Sequence, residues 1–379
     1  MNILINLIPI KKGGGQQVAS NFILQLQQYE DVNPIYLVSK GTYIHEELKK
    51  DTRNIINVVD NSYISRFLFQ IYTLKQITKK YNIDIIYTMF GPGLHVKNIK
   101  SVTGCAYSNI FFPEINFWKG YSFIRRAYLK LVDNYRLKST LKSDFIIFEN
   151  ESMLKRANTL FHFPLNKMTL ILPSISEYPP LDVRDSLSKY LRRIDPSNFN
   201  ILMFTGWHKN KNITMIPLIL KALHDRGVND VKFIITISKD DINSKNIHTQ
   251  AVELGVDKSI HFIDMIKPYE VPILFDHIDA IMLLSLLESF SNNIIEAWSF
   301  RKALFISDEE WAKAICKDAA IYVQRSNALD ISSKIIDYRT NVKQQVALED
   351  AAKNILIKYP NPKEKVSLQI EFLKQVYQK

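Results

Sequence analysis

Two glutamates separated by seven residues form the most specific chemical pattern in the sequence. They lie in LLESFSNNIIEAWSF, where Glu288 follows an apolar run and Glu296 falls on the first turns of a predicted helix. Carboxylates accept hydrogen bonds from hydroxyls, and backbone N–H groups at a helix start bind phosphate. The segment therefore suits a ligand that carries hydroxyls at two ends and phosphate between them. The alternative is that Glu288 is a charge at the start of the helix and Glu296 an exposed helix residue.

A second polar segment, FTGWHKNKN, lies between another predicted strand and helix. Gly206 permits a tight turn there, while Lys209 and Lys211 place cations where a diphosphate would bind at the helix N-terminus. His208 could add a hydrogen bond. The alternative is a polar surface loop without a ligand.

A glycine triplet follows the first predicted strand and precedes a helix. Without side chains, Gly14 and Gly15 let backbone N–H groups approach an anion closely, and a flexible turn is the alternative. The triplet does not spell the dinucleotide-binding pattern, and no acidic residue is well placed after the second predicted strand. These departures argue against a nicotinamide-dependent dehydrogenase.

Short β-branched runs alternate with segments of helical period along most of the chain, which predicts right-handed crossovers and parallel sheets. The predicted strands are residues 2–10, 34–39, 54–60, 83–89, 104–110, 144–150, 168–173, 199–206, 231–238, 259–264, 279–285, 303–308 and 319–324. The predicted helices are residues 16–28, 66–80, 125–142, 213–223, 249–254, 269–276, 293–300 and 362–379.

The alternation lapses in the proline-rich and charged stretch EYPPLDVRDSLSKYLRRIDPSN, which we interpret as a linker. The predicted fold is α/β, with two Rossmann-like domains facing each other across a cleft that receives ligands at the carboxyl ends of strands. The domains are predicted at residues 1–175 and 199–360, with the linker at 176–198. Residues 361–379 form a last helix, for which packing back on the first domain is one option.

Composition limits the class of protein. The chain has 379 residues, 46% of them hydrophobic and 23% charged, enough for two buried cores and too apolar for wholesale disorder. The two cysteines, Cys105 and Cys316, offer neither a disulfide framework nor a paired metal-ligand spacing. The N-terminal apolar run is too short for a secretory signal, and no run approaches a membrane span. We therefore expect a cytoplasmic protein.

A net charge of +11 suits nucleic acid, anionic lipid or phosphorylated small molecules as partners, and charge alone does not choose among them. The densest basic stretch, residues 125–142, carries Tyr128, Leu131, Tyr135 and Leu137 near helical spacing. It is either a surface helix with a solvated basic face or an amphipathic helix on an anionic membrane surface. The second alternative would place the protein peripherally on the inner face of the cell membrane. Zinc-finger spacing and aromatic RNA-binding signatures are absent, so no nucleic-acid partner is expected.

The segment ESFSNNIIEAWSF resembles the E-x7-E signature of retaining GT-B glycosyltransferases of family 4, also described as glycosyl transferases group 1. The likeness extends over nearly the whole chain, through the glycine-rich loop, SDFIIFENESM, IHFID and DAAIYV. It implies a hexosyltransferase that needs neither metal nor cofactor and takes a nucleotide-diphosphate sugar as its substrate. It also implies a glycan or lipid-linked acceptor in bacterial surface polysaccharide or glycoconjugate biosynthesis.

Carried over residue by residue, the resemblance implies that Glu288 contacts the donor sugar, Glu296 the ribose, and Lys211 the diphosphate. Glu288 and Lys211 are thus the candidate catalytic residues. The remaining candidates for donor binding are Gly14, Gly15, Gly206, Lys209, Ser289, Phe290, Ser291, Asn292 and Asn293.

Three departures from the family pattern concern the donor side. Ser291 stands in place of a family glycine, and a glycine-proline pair is replaced near Arg301. The usual arginine of the phosphate loop is missing, which leaves Lys209 or His208 as substitutes.

On the acceptor side, the resemblance implies a first-domain histidine, but Ser108 or Asn109 stands at that place. His95, Asn109 and Glu114 are the acceptor-side candidates, although His95 and Glu114 also suit structural or surface roles. No residue is identified as a catalytic base. Retaining transfer can proceed without one when the departing phosphate takes the acceptor's proton and the protein positions both substrates.

Two alternative functions remain open. One is a sugar-nucleotide epimerase of the same architecture, which would need an acid/base set that the sequence does not display. The other is a noncatalytic transferase-like binding protein, which the loss of the family glycines at Ser291 and near Arg301 would favour.

Overall fold

Strands and helices alternate in both halves of the chain, as the sequence predicts. The computed structural model describes residues 1–11, 13–60, 69–178, 191 and 194–378. It divides the chain into two units, one of Met1–Ser174 with Pro360–Lys379 and the other of Ile175–Tyr359. The first unit thus contains both ends of the chain.

The first unit is built on a parallel sheet with the strand order β3-β2-β1-β4-β5-β6-β7. Its strands are β1 (Asn2–Asn6), β2 (Asn33–Ser39), β3 (Ile55–Val59), β4 (Ile85–Thr88), β5 (Lys100–Cys105), β6 (Phe145–Phe148) and β7 (Met168–Leu170). Its first helices are α1 (Gly14–Leu26), α2 (Tyr43–Lys49), α3 (Leu74–Lys80), α4 (Phe123–Leu141) and α5 (Glu151–Phe161). The order of connection reverses between β1 and β4, so the loops after these strands lie at a switch point of the sheet.

The second unit repeats this plan with the order β10-β9-β8-β11-β12-β13, again parallel in every described pairing. Its strands are β8 (Phe199–Met203), β9 (Val231–Ile235), β10 (Ile260–Phe262), β11 (Ala280–Leu283), β12 (Ala303–Ser307) and β13 (Ile321–Val323). Its helices are α6 (Ile216–His224), α7 (Ile242–Glu253), α8 (Val271–Asp276), α9 (Asn292–Ser299), α10 (Glu310–Cys316), α11 (Ala328–Thr340) and α12 (Val342–Leu356). The switch point lies between β8 and β11, so FTGWHKNKN and LLESFSNN leave the sheet side by side.

The apolar patterns explain why these elements form. The central strands are buried along their length, as in β11, and therefore read as continuous apolar runs. Helix α1 buries Ala19, Phe22, Ile23 and Leu26, which are spaced three or four residues apart along one face. Both features place the cores between sheet and helices, and both confirm the predicted α/β class.

A last helix, α13 (Pro362–Gln378), belongs to the first unit. Val366, Ile370 and Leu373 enter the same apolar core as α1. Polar contacts accompany them: the Lys365 Nζ atom lies 2.6 Å from Glu149 Oε1, and the Gln369 amide donates to the Tyr87 hydroxyl over 2.9 Å. Because Lys365 is almost fully buried, its pairing with Glu149 avoids an uncompensated charge in the core.

Two predicted elements need correction. The strand expected at residues 104–110 is β5, at Lys100–Cys105, and Gly104 lies within it. A Cβ at Gly104 would come within 2.0 Å of the Met89 carbonyl oxygen, so this glycine marks a close backbone approach inside a strand. Helix α7 begins earlier than predicted because the Asp241 carboxylate accepts the Asn243 N–H and caps it.

Part of the sequence-based prediction lies outside the described residues. This applies to Lys12 before the glycine triplet, to the start of the helix predicted at residues 66–80, and to most of the linker predicted at 176–198.

Candidate functional site

The two polar loops at the switch point of the second unit are tied together by Asn210. Its side-chain amide donates to the Leu287 carbonyl oxygen over 2.8 Å, and its side-chain oxygen accepts the Leu287 N–H over 3.1 Å. The Leu286 N–H in turn donates to the Asn210 carbonyl oxygen over 3.0 Å. The loop that follows β8 therefore fixes the position of the loop that carries Glu288.

Lys211 and Glu288 form an ion pair at this junction. The Lys211 Nζ atom lies 2.5 Å from Glu288 Oε1, and the Ser285 hydroxyl donates to the same oxygen over 2.7 Å. Only 20% of the lysine side chain and 16% of the glutamate side chain are exposed, so water screens their interaction weakly. A phosphate that approached Lys211 would compete with Glu288 for the ammonium group and release carboxylate oxygen for hydroxyl groups.

The basic segment departs from the prediction in one respect. Lys209–Lys211 form a 3-10 turn and Ile213–Met215 form another, so α6 begins only at Ile216. The lysines are therefore not at the N-terminus of an α-helix. Asn212 separates the two turns with a φ of 55°, a left-handed conformation that asparagine tolerates, and its amide donates to the Arg325 carbonyl oxygen.

Two further features of this loop bear on ligand binding. A Cβ built at Gly206 would meet no described atom within 4 Å, so the loop backbone is sterically open there. The His208 ring nitrogen Nδ1 accepts the Asn210 N–H over 3.1 Å, while burial and the Lys211 charge lower the pKa of His208. A neutral His208 is thus engaged in holding the turn.

Glu296 lies on the inner face of α9 and is only 7% exposed, which excludes the surface-charge interpretation. Its Oε1 atom accepts the Tyr178 hydroxyl over 2.8 Å, and its Oε2 atom is buried without a hydrogen-bond partner among the described residues. Burial raises the pKa of Glu296 to about 7. Because a buried unsatisfied carboxylate oxygen is costly, Oε2 is a natural acceptor for a ligand hydroxyl.

The predicted residues between the two glutamates lie where β11 passes into α9. The Asn293 amide donates to the Phe204 carbonyl oxygen over 2.7 Å, which links this helix to the end of β8. Ser291 is buried and makes no side-chain capping bond to the first turn. Ser289, Phe290 and Asn292 are partly exposed beside it.

The two positions at which a family glycine is replaced differ in backbone conformation. Ser291 has a φ of −126°, an extended conformation that any residue adopts, so serine is accommodated there without backbone strain. Arg301, after α9, has a φ of 54°, a left-handed conformation that glycine would adopt more readily. The departure nearer to the two glutamates is therefore the milder one.

Sequence reasoning missed the residues that support this site. Asn210, Tyr178 and Trp311 were not candidates, although the Trp311 indole N–H donates to the Leu286 carbonyl oxygen over 3.2 Å and holds the same loop. Each of them contacts a segment that is distant along the chain. A pattern confined to one segment carries no signal for such pairings.

The glycine triplet begins α1 in the first unit. Gly13 has a φ of 78°, and Gly14 and Gly15 form the first turn of the helix. A Cβ at Gly14 would meet no described atom within 4 Å, whereas one at Gly15 would touch Ile10 at 3.6 Å. The backbone at Gly14 is therefore open to a ligand, and anion binding there stays a prediction.

The acceptor-side candidates separate into two groups. The His95 Nδ1 atom lies 3.3 Å from the Ser101 hydroxyl and its Nε2 atom 2.9 Å from the Ser139 carbonyl oxygen, while burial lowers the pKa of this ring. Both nitrogens are thus engaged within the fold. Asn109 and Glu114 instead line a cavity of about 510 Å³ between their loop and α4.

That cavity contains aromatic and polar side chains. The Trp118 indole N–H donates to Asp133 Oδ2 over 2.5 Å, and Arg136 pairs with the same carboxylate at 3.1 Å. At its rim, Glu114 pairs with Arg156 at 2.8 Å. Phe117, Lys130 and Asn116 also line the cavity, so it offers ring faces together with hydrogen-bonding groups.

Neither a metal-ligand cluster nor a membrane-spanning helix is present among the described residues. No group of three or more His, Cys, Asp or Glu side chains is arranged there to hold a metal ion. None of the helices in the described ranges combines the length and apolar character that crossing a membrane requires.

Two Rossmann-like sheets in one chain, with a polar site at the switch point of the second, define the GT-B architecture. Residues 194–355 match the model of the family Glycosyl transferases group 1, a range that includes Lys211, Glu288 and Glu296. A comparison with curated protein sequences finds no significant match.

Solved structures support the same architecture over the whole chain. A glycosyltransferase from Rickettsia africae is 16% identical, with 99% of this chain and 98% of that one covered and a TM-score of 0.71. Anabaena Alr3699/HepE, in complex with UDP and glucose, is 14% identical with coverages of 99% and 100% and a TM-score of 0.68. WaaG, a glycosyltransferase involved in lipopolysaccharide biosynthesis, is 12% identical with coverages of 97% and 99% and a TM-score of 0.69. At these identities the likeness shows the fold.

Proposed function

We propose that the protein is a metal-independent glycosyltransferase that moves a hexosyl group, with retention, from a nucleotide-diphosphate sugar to a glycan or lipid-linked acceptor. The observation that carries this proposal is the Lys211–Glu288 ion pair, which unites two separate polar loops at the switch point within the matched family region. The Anabaena structure with UDP and glucose supports the class of donor. WaaG, with its stated part in lipopolysaccharide biosynthesis, supports a role in surface polysaccharide assembly.

The donor would divide its contacts among three side chains. The diphosphate takes the Lys211 ammonium group from Glu288, and Glu288 then accepts hydroxyls of the donor sugar. Glu296 accepts a ribose hydroxyl through its buried, unpartnered Oε2 atom. The diphosphate and the sugar hydroxyls thereby replace the Lys211–Glu288 ion pair, and the ribose hydroxyl supplies the partner that Glu296 Oε2 lacks. The buried polar groups of the site are then all hydrogen-bonded.

The chemistry follows from this placement. The bond between the sugar's anomeric carbon and the diphosphate oxygen breaks, and a bond to the acceptor oxygen forms on the same face of the sugar. The acceptor's proton passes to the departing diphosphate. Lys211 stabilises the charge that grows on that group, so the protein acts mainly by positioning and electrostatics.

The cavity of the first unit is our candidate for the acceptor site. Sugar rings pack their apolar faces on aromatic side chains such as Trp118, and amides and carboxylates bind their hydroxyls. Asn109 and Glu114 belong to this site, whereas the engaged ring of His95 gives it a supporting role in the fold.

The surface of helix α4 favours an acceptor that is bound to a membrane. Phe123, Ile124 and Leu131 are 77%, 82% and 70% exposed, so this helix turns apolar side chains outward. Arg125 and Lys130 lie among them in sequence. Exposed apolar residues interspersed with cations suit the interface of an anionic bilayer, and they disfavour a purely basic, solvated face. We propose that α4 holds the protein peripherally on the inner face of the cell membrane.

Vesicle sedimentation tests this attachment. Anionic vesicles should retain the protein and neutral vesicles should retain less, with binding that weakens as salt rises. Reversing Arg125, Arg126 and Lys130 to Glu removes attraction worth about 1 kcal/mol per basic residue and should abolish the preference for anionic lipid. Replacing Phe123, Ile124 and Leu131 by Ser should weaken binding even at low salt. Equal retention of both variants and the parent would contradict the proposal.

A panel of nucleotide sugars tests the function itself. With its donor and a lipid-linked or glycan acceptor, the protein should release nucleoside diphosphate, and a chelator should leave the rate unchanged. An epimerase would instead change the sugar without needing an acceptor. A noncatalytic protein would gain thermal stability from the nucleotide but would not turn it over. Either of these two outcomes would replace the proposed activity.

A further inference from the structure

The Tyr178 hydroxyl contacts the Glu296 carboxylate directly. It donates to Oε1 over 2.8 Å, from a residue 118 positions earlier in the chain. Burial and the nearby Glu296 raise the pKa of Tyr178, so the phenol keeps its proton and acts as the donor. One of the two carboxylate oxygens of Glu296 is therefore already hydrogen-bonded within the protein.

Aromatic packing fixes where this hydroxyl lies. The Tyr178 ring centroid is 5.8 Å from that of Phe300, and Phe300 lies 4.4 Å from Phe275. Phe300 directly follows α9, the helix that carries Glu296. The aromatic cluster therefore joins Tyr178 to the end of the helix that carries Glu296, and this packing keeps the hydroxyl beside the carboxylate.

The two oxygens of Glu296 thus differ. Oε1 accepts Tyr178, whereas Oε2 is buried and has no hydrogen-bond partner in the described part of the chain. A free carboxylate can take both hydroxyls of a vicinal diol, one on each oxygen. With Oε1 already accepting the phenol, Oε2 is the carboxylate oxygen that keeps both of its lone pairs for a ligand, and it is therefore the stronger acceptor that remains.

We propose that Tyr178 is a positioning residue of the donor site, which occupies Oε1 of Glu296 so that the carboxylate accepts one hydroxyl of the nucleotide ribose through Oε2. This inference rests on the proposed function, because it takes a nucleotide as the ligand of Glu296. Tyr178 thereby sets how the site distinguishes the two ribose hydroxyls.

Binding of deoxynucleotides tests the inference. UDP and GDP, each with its 2′-deoxy and 3′-deoxy forms, are titrated calorimetrically at about pH 8, where Glu296 is ionised. In the parent protein, removal of one ribose hydroxyl should weaken nucleotide binding about tenfold or more, and removal of the other should change the affinity by less than about twofold. In Tyr178→Phe, Oε1 becomes available to the second ribose hydroxyl. The 2′-deoxy and 3′-deoxy forms should then both bind more weakly than the unmodified nucleotide, by similar factors.

Tyr338→Phe is the matched control, since Tyr338 lies in the same unit and packs on Phe305. It should keep the parent's unequal pattern. Equal penalties in the parent protein, or an unequal pattern that persists in Tyr178→Phe, would overturn the role of Tyr178 while leaving nucleotide binding intact. Binding of neither UDP nor GDP to the parent would overturn the proposed donor site and this inference together.

Discussion

Replacing Lys211 by alanine is expected to lower sugar transfer by a factor of about 10² to 10³, which corresponds to roughly 3 to 4 kcal/mol of barrier. In the proposed reaction, charge grows on the diphosphate as its bond to the sugar breaks, and Lys211 is a cation that the fold places at the loop junction. Its Nζ atom lies 2.5 Å from Glu288 in a mostly buried setting, where electrostatic interactions are strong. Steady-state kinetics with saturating acceptor give kcat/KM for the comparison.

Lys209→Ala is the matched control for this prediction. Lys209 lies in the same turn, but the Glu288 carboxylate pairs with Lys211. Lys209→Ala should therefore lower kcat/KM much less than Lys211→Ala. Near-additive effects of Lys211→Ala and Glu288→Gln would indicate that the two side chains act separately, because groups in direct contact show coupling in a double-mutant cycle. Small and equal effects of both lysine variants would place the diphosphate elsewhere.

The two glutamates are expected to affect different kinetic quantities. Glu296→Ala should weaken donor binding by a factor of about 10 to 100, the range for losing a hydrogen bond to a charged group. Glu288→Gln should reduce kcat more than donor affinity, because the proposed donor site places Glu288 against the sugar whose bond breaks. Donor titrations and kinetics of both variants make the comparison, and circular dichroism checks that each variant is folded. Unchanged affinity and turnover in both would reject the assignment.

Donor binding should also depend on pH through Glu296, whose pKa is raised by burial to about 7. In the proposed donor site a ribose hydroxyl donates to the ionised carboxylate, so we expect the affinity to be highest above this pKa. It should fall as the pH drops through 7, by up to about tenfold per pH unit below it. An intact nucleotide sugar is the right probe, because its diphosphate diester does not titrate in this range.

Glu296→Gln provides the control for this pH dependence. The amide keeps the shape of the side chain and removes the titrating group, so the affinity of this variant should be flat between pH about 6 and 8. A variant profile that follows the parent's would assign the titration to another group.

The fold class and the location of the polar loops were predictable from the sequence. Parallel strands covered on both faces must be apolar along their length, so runs such as those of β8 and β11 are visible without a structure. Loops that follow such strands must lie at the same edge of the sheet. The position of FTGWHKNKN and of the segment between Glu288 and Glu296 at one edge of a sheet was therefore predictable, and the observed strand order sets them side by side at the switch point.

Which side-chain atoms contact one another became visible only in the folded chain. Lys211 and Glu288 are 77 residues apart, and Tyr178 and Glu296 are 118 apart, so no local pattern encodes their contacts. The partner of each buried oxygen depends on side-chain packing across several elements.

The outward face of α4 illustrates the same limit. Helical periodicity locates an apolar stripe, but whether that stripe meets the core or the solvent depends on what the rest of the chain packs against the helix. Here Phe123, Ile124 and Leu131 face outward, and Thr140 is the buried residue of this helix. The burial of a side chain is a property of the whole fold, which is why the exposure of these apolar side chains could not be read from the sequence.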